Sequence, residues 1–167
     1  RGGKIGASRC EEDILEACRD MLVEAESAGT NVLLPTDHVV AAEFRKDAEA
    51  SVVAGDIPDG LMGLDIGPET REAFAEVLAA AKTIVWNGPM GVFEWEPFRT
   101  GTAAVGEAVA RACDGTAVGI VGGGDTAAAA ELLGVAERVS HVSTGGGASL
   151  AMLEGSPMPG LAAVAEK

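Results

Sequence analysis

"IVGGGDTAAAAELLG", residues 120–134, runs from an apolar stretch through three glycines, an acid and a hydroxyl into an alanine-rich stretch. The apolar run reads as a buried strand and the alanine run as a helix, so the glycines fall on a strand-to-helix turn. Glycines there cost conformational entropy and offer no side chains to pack. Their use is bare backbone. The free amides of a helix's first turn, with the helix dipole behind them, make a site for phosphate. Gly122, Gly123 and Gly124 are therefore candidates to cradle a phosphate chain. Asp125 is the candidate ligand for Mg²⁺, a hard ion that takes carboxylate and phosphate oxygens together. Thr126 is a candidate hydroxyl donor. The plainer alternative is that Asp125 or Thr126 merely caps the helix and the glycines allow tight packing.

Working outward, the same plan recurs. "TIVW" (83–86) is a strand followed by the loop "NGPMGVFEWEP" (87–97) and a helix over 98–113. "AVGIV" (117–121) leads into the glycines and a helix over 125–133. "RVSHVS" (138–143) leads into "TGGG" and a helix from about Ala148. Nearer the start, residues 11–28 read as an amphipathic helix with Ile14, Leu15, Cys18, Met21, Leu22 and Ala25 at helical spacing and Gly29 as its stop. "NVLLP" (31–35) reads as a short buried strand, and "HVVAAEF" and "ASVVAG" as further strands. "IPDGLMGLDIGPE" (57–69) reads as loop, rich in turn residues, before a helix over 70–81. "PMPG" breaks the tail, and "LAAVAEK" packs back or frays.

Short apolar strands alternating with helices are the signature of a parallel sheet covered on both faces. The expected fold class is α/β, a three-layer, Rossmann-like parallel sheet with helices on both faces. In such sheets the loops after the strands share one edge, and ligands bind there. Here those loops are "PTD", "NGPMGVFE", "GGGDT" and "STGGGAS". The second glycine turn, Gly145, Gly146 and Gly147, repeats the anion-binding logic beside Ser143, Thr144 and Ser149.

Other glycine loops fit less well. A GxxxxGK[ST] loop requires a lysine that is absent here. The dinucleotide pattern GxGxxA matches through Gly122, Gly124 and Ala127, but the following strand ends at Ser143 and Thr144 rather than at an acid. A dinucleotide-dependent oxidoreductase is thus a lesser alternative.

The chain has 167 residues, 47% of them hydrophobic, enough for one ordinary globular domain. Its formal net charge of −14 argues against nucleic acid or an anionic membrane as partner. No apolar run approaches the length of a membrane span, and no signal peptide is visible. The first residue is Arg1, and the chain is read as a fragment. Cys10, Cys18 and Cys113 form no CxxC pair and are read as reduced, cytosolic thiols. His38 and His141 lack partners at metal spacing and are read as structural.

Four of the six aromatic residues, Trp86, Phe93, Trp95 and Phe98, fall within thirteen positions. That loop is a candidate wall for a base, with Pro89 and Val92 against a flat ring and Glu94 accepting hydrogen bonds from ribose hydroxyls. The plainer alternative puts Trp86 and Phe93 in the core and Glu94 on a solvated surface.

"WNGPMGVFE", "GGGDTAAA" and "HVSTGGGASL", in this order and spacing, resemble the nucleotide-binding C-terminal domain of phosphoglycerate kinase. "GLDIGPET", "LPTDHVVA" and the closing "LEGSPMPGLAAV" resemble that family too, so the likeness spans essentially the whole chain. The resemblance implies that residues 1–167 are most of that domain. It implies that the N-terminal substrate domain, with its basic patch, and a first segment bearing active-site lysines are absent. The family moves a phosphoryl group between 1,3-bisphosphoglycerate and Mg·ADP, giving ATP and 3-phosphoglycerate in glycolysis, by positioning and charge neutralisation. Carried over by residue, Gly123 and Gly124 supply amides to the nucleotide phosphates, Asp125 binds the metal and Thr126 contacts phosphate. Asn87 reaches the phosphate chain and Glu94 takes the ribose. Gly63, Leu64, Pro89, Gly91 and Val92 line the adenine side. Gly145 to Gly147 point amides at the group in flight, the nearest thing here to a catalytic element. Where the family usually has glutamate, lysine and tryptophan, this chain has Ala151, Ser156 and Leu61. The resemblance further implies a cytoplasmic enzyme, monomeric at full length, of which this piece is inactive alone. A non-catalytic nucleotide-binding module is the alternative.

Overall fold

The computed structural model describes residues 2–143 and 145–165. They divide into two compact units, 1–75 with 90–102, and 76–89 with 103–167.

The first unit opens with a 3-10 turn, Glu12–Ile14, and helix α1, Leu15–Ser27. Of its apolar stripe only Cys18, Leu22 and Ala25 are half-buried, and Met21 stays exposed. Strands β1 (Asp37–Ala41), β2 (Ser51–Ala54) and β3 (Met62–Ile66) then form an antiparallel sheet in the order β2-β1-β3. Val39 faces Val52 on one side and Asp65 on the other, and the register with β3 shifts between Val39 and Val40. The core of this unit is Val39, Ala41, Ala48, Leu64 and Phe98, with Met62, Val92 and Trp95 packed on it. The rings of Phe44 and Trp95 lie 4.6 Å apart, tilted by 48°.

Helix α2, Pro68–Ala80, starts against the sheet through Asp37. The Asp37 carboxylate accepts the amides of Glu69 and Thr70 at 2.9 and 2.8 Å and the Thr70 hydroxyl at 2.6 Å. The same hydroxyl oxygen accepts the Thr36 amide at 2.9 Å. This supplies acceptors to helix-start amides that have none within the helix. Burial pushes the Asp37 carboxyl up, but the Thr70 hydroxyl and the two amides outweigh it and hold it below its ordinary value.

Two expectations fail in this unit. Residues 57–69 are not all loop, because β3 lies inside them. Turn residues flank a short strand whose ladder is made by β1, more than twenty positions away, and local sequence does not reveal that pairing. Residues 31–35 are neither strand nor buried. Val32, Leu33 and Leu34 are 38–48% exposed, and no ladder reaches them among the described residues. Apolar content marks a wish for cover, but a strand also needs a neighbour for its backbone groups.

The second unit holds strands β4 (Thr83–Asn87), β5 (Val118–Gly122) and β6 (His141–Ser143), all parallel, in that order. The expected α/β class and parallel sheet flanked by helices are observed. Helix α3, Thr100–Gly115, covers the face carrying Trp86 and Gly119. A Cβ on Gly106 would stand 3.0 Å from the Trp86 ring, and one on Gly119 would overlap the Cys113 sulfur. Helices α4 (Gly124–Leu132), α5 (Gly146–Leu153) and α6 (Pro159–Ala165) follow. Pro159 opens α6, as proline does at a first helical position, so "PMPG" begins a helix, whereas α5 has already ended at Leu153, ahead of Gly155 at φ +70°. Residues 136–138 form a 3-10 turn rather than the start of the expected strand. Arg138 is drawn out of it to Glu107 and Asp114, at 2.7 and 2.6 Å. The three cysteines are free. Among the described residues, no helix is long and apolar enough to cross a membrane.

Candidate functional site

Parallel register brings three strand ends into one row. Asn87 is paired with Gly122, and Gly122 with Ser143. Each strand then turns into one of the loops singled out by sequence, so the "NGP", "GGDT" and "GGG" turns leave the same sheet edge side by side. This is where open parallel sheets bind ligands.

Gly123 caps the start of α4 with φ +93°, a conformation suited to glycine, and no side chain caps that helix end. Its amide donates to the Ser143 carbonyl at 3.1 Å, tying the first glycine turn to β6. The second turn is closer still. A Cβ on Gly146 would lie 2.7 Å from the Gly123 Cα, so the two loops touch backbone to backbone. Gly145 caps α5, again without a side-chain hydrogen bond. The Ser143 and Ser149 hydroxyls lie 3.2 Å apart beside it. Thr144 lies outside the described residues. The Asn87 side chain leans over the first turn, with Oδ1 3.0 Å from the position a Gly123 Cβ would take.

Asp125 is exposed on the first turn of α4, and Gly124 beside it is exposed too. Among the described residues no group of three His, Cys, Asp or Glu side chains is gathered that would hold a metal by itself. One carboxylate beside amides suited to phosphate fits an ion that arrives with phosphate oxygens already in its shell. Thr126 differs from its expected placement. It is 1% exposed, and its Oγ1 accepts the Gly88 amide at 2.7 Å instead of standing open to a ligand.

Gly63, Leu64, Gly91, Val92 and Glu94 belong to the first unit, whereas Asn87, Pro89 and the glycine turns belong to the second. In the first unit the 90–95 loop is held along its backbone. Thr102 Oγ1 accepts the Met90 and Gly91 amides at 3.1 and 3.3 Å, and the Leu64 carbonyl accepts the Val92 amide at 3.0 Å. The Arg99 guanidinium donates to the Phe93 and Glu94 carbonyls at 2.6 and 3.1 Å. The Glu94 carboxylate is left exposed at the end of this braced segment. Phe93 and Trp86 are buried, as core residues are, and Val92 packs on the core of the first unit. Asp65 accepts the amides of Gly101 and Ile66 at 2.6 and 2.9 Å. Burial pushes its carboxyl above the ordinary value against the pull of those amides. Thr102 and Arg99 carry no motif signal, since their partners are set by loop closure. Asp65 stands within "GLDIGPET", but its partner Gly101 does not show in that run. A groove of about 730 Å³ between α1 and residues 29–32 contains none of the expected site residues.

The family model for phosphoglycerate kinase matches residues 1–156. The chain belongs to the phosphoglycerate kinase family. The match includes both glycine turns, the "WNGPMGVFE" loop and β3. A phosphoglycerate kinase of Parafrankia is 56% identical over 165 residues, 98% of this chain and 40% of its own length. One from Clostridium botulinum is 53% identical over 165 residues, 98% of this chain and 41% of its own. The solved phosphoglycerate kinase of Coxiella burnetii superposes with a TM-score of 0.87 at 44% identity, covering 93% of this chain and 40% of that one. That of Pyrococcus horikoshii gives 0.76 at 33% identity, with 90% and 36% covered. The chain spans about two-fifths of the length of these phosphoglycerate kinases.

Proposed function

We propose that this chain carries the nucleotide half-site of a phosphoglycerate kinase, the phosphotransferase that moves a phosphoryl group reversibly between 1,3-bisphosphoglycerate and Mg·ADP, giving ATP and 3-phosphoglycerate. The observation that carries the reading is the row Asn87, Gly122, Ser143, with two uncapped glycine turns in backbone contact at one sheet edge. The unpaired first-turn amides of α4, from Gly124 on, face the nucleotide phosphates. Gly122 and Gly123 supply the bare backbone of the turn, the Gly123 amide itself going to the Ser143 carbonyl, and Asn87 adds a side-chain amide above them. Asp125 would hold Mg²⁺, which when bound neutralises phosphate charge and orients the oxygens it shares. Gly145, Gly146 and Gly147 aim amides at the transferred group, where preorganised donors favour the charge spread of the transition state. In the first unit Glu94 is assigned the ribose hydroxyls, and Gly63, Leu64, Gly91 and Val92 the base; in the second unit Pro89 ends the "NGP" turn.

The phosphoglycerate contacts are assigned to the part of the relatives that this chain does not span, in keeping with a chain of net charge −14. By itself the chain then binds nucleotide without turning it over. The wider setting that follows is cytoplasmic glycolysis by a full-length monomer. Titration calorimetry with Mg·ADP tests the half-site directly, after circular dichroism confirms folding. Saturable binding that is weakened by chelating the metal is the expected result. A folded chain that takes up no Mg·ADP overturns the reading.

A further inference from the structure

We infer that Thr126 is a positioning residue whose buried hydroxyl fixes the Asn87–Pro89 turn and thereby holds the Asn87 side chain over the first glycine loop. This rests on the nucleotide reading above and changes what Thr126 does in it. The two peptide groups flanking Gly88 are each held. The Gly88 N–H donates to Thr126 Oγ1 at 2.7 Å, and its carbonyl accepts the Trp86 indole N–H at 2.8 Å. Both anchors are buried, Thr126 at 1% exposure and Trp86 at 4%. Gly88 itself is half-buried, and hydrogen bonds partly sheltered from water are electrostatically stronger than in bulk solvent. Gly88 itself has φ +114°, a conformation that side chains rarely adopt, so the turn needs both a glycine and an external grip.

The grip is not ordinary helix chemistry. A threonine in a helix commonly turns its hydroxyl back to a carbonyl one turn earlier. Here the oxygen accepts from a residue 38 positions away, on the turn after a different strand. Thr126 follows Asp125 on the same helical turn. The helix that presents the metal-ligand candidate therefore also anchors the turn that follows Asn87. Asn87 Oδ1 stands 3.0 Å from the Gly123 Cβ position, so release of the Gly88 amide frees this side chain from the phosphate loop. Valine in place of Thr126 keeps the shape and removes the acceptor, whereas serine keeps the acceptor.

The test uses the full 167-residue chain with Thr126→Val and Thr126→Ser. Hydrogen exchange at the Gly88 amide reads the grip without any ligand. Calorimetry with Mg·ADP and with adenosine reads its consequence. Slow Gly88 exchange in the parent and in Thr126→Ser, fast exchange in Thr126→Val, and a roughly tenfold loss for Mg·ADP with adenosine unchanged are expected. Equal Gly88 exchange in Thr126→Val and parent overturns the grip. Faster exchange with unchanged Mg·ADP affinity, or equal losses for Mg·ADP and adenosine, overturns the positioning role while leaving the nucleotide reading intact. A parent chain that binds neither ligand overturns the nucleotide reading and the positioning role with it.

Discussion

Asp65 of β3 accepts the Gly101 amide at 2.6 Å, so a strand carboxylate closes the first turn of α3. Gly101 bears no side chain there because the carboxylate occupies the place of its Cβ. Asp65 Oδ1 at the same time accepts the Ile66 amide. Asp65→Ala removes the acceptor of both amides and leaves two buried N–H groups unmatched. A loss of about 1–3 kcal/mol is expected, read as a lowered urea midpoint. An unchanged midpoint shows that both amides find other acceptors.

Asp37 and Asp65 titrate in opposite senses. The folded pKa of Asp37 lies below its ordinary 3.8, so its contribution is present above that value and is lost as pH falls through the folded pKa. Asp65 is raised, so its contribution weakens as pH rises from 3.8 through its folded pKa. Asp37→Asn should therefore flatten the acid limb of thermal stability below pH 4, and Asp65→Asn should not. Melting temperatures measured from about pH 2 to pH 6 decide this. Equal acid limbs in the parent and Asp37→Asn refute the assignment.

Asp125 is exposed at the start of α4, and its removal leaves the helix packing in place. Asp125→Ala is expected to weaken Mg·ADP at least about tenfold while metal-free ADP and the circular dichroism spectrum barely change. Metal dependence that persists in this variant removes Asp125 from the metal role.

Glu94 ends a segment whose backbone is held by Arg99 and Thr102, while its own carboxylate is exposed. Hydrogen bonds to a charged group are worth about 1.5–3 kcal/mol, which is roughly ten- to a hundredfold in affinity. Glu94→Ala should lose affinity for ADP by that factor and lose little for a dideoxyribose analogue. Parallel losses for both ligands rule out the ribose contact.

Gly146→Ala places a methyl 2.7 Å from the Gly123 Cα, closer than carbon atoms pack. The two glycine turns must then separate. Weaker Mg·ADP binding with retained secondary structure is expected, together with shifted amide resonances at Gly123 as well as Gly146. Resonances shifted only next to residue 146 disprove the contact.

The glycine turns were legible because bare backbone between a strand and a helix is a local signal, and "GGGDT" and "TGGG" carry it within a few residues. The same holds for α2, β4, α3, β5 and α4, whose boundaries moved by only one or two residues. β3 was hidden because "GLMGLDIGPE" is dominated by turn residues, and its partner β1 lies more than twenty residues away. The run 31–35 misled for the converse reason. Its composition is that of a strand, but composition does not supply the neighbour that a strand requires.

By itself, the sequence determined the alternation of strands and helices in the second unit, three of the four loops expected on the parallel sheet's edge (the fourth, "PTD", leads instead into β1), and the family. Those follow from periodicity and from motifs that are contiguous in the chain. Only the tertiary structure decided that β1, β2 and β3 form a separate antiparallel sheet, that Asp65 closes α3, and that the Thr126 hydroxyl meets Gly88. Each of these depends on which buried donor meets which acceptor. That choice is made by register and packing between residues from about ten to nearly forty positions apart, and no local run of side chains encodes it.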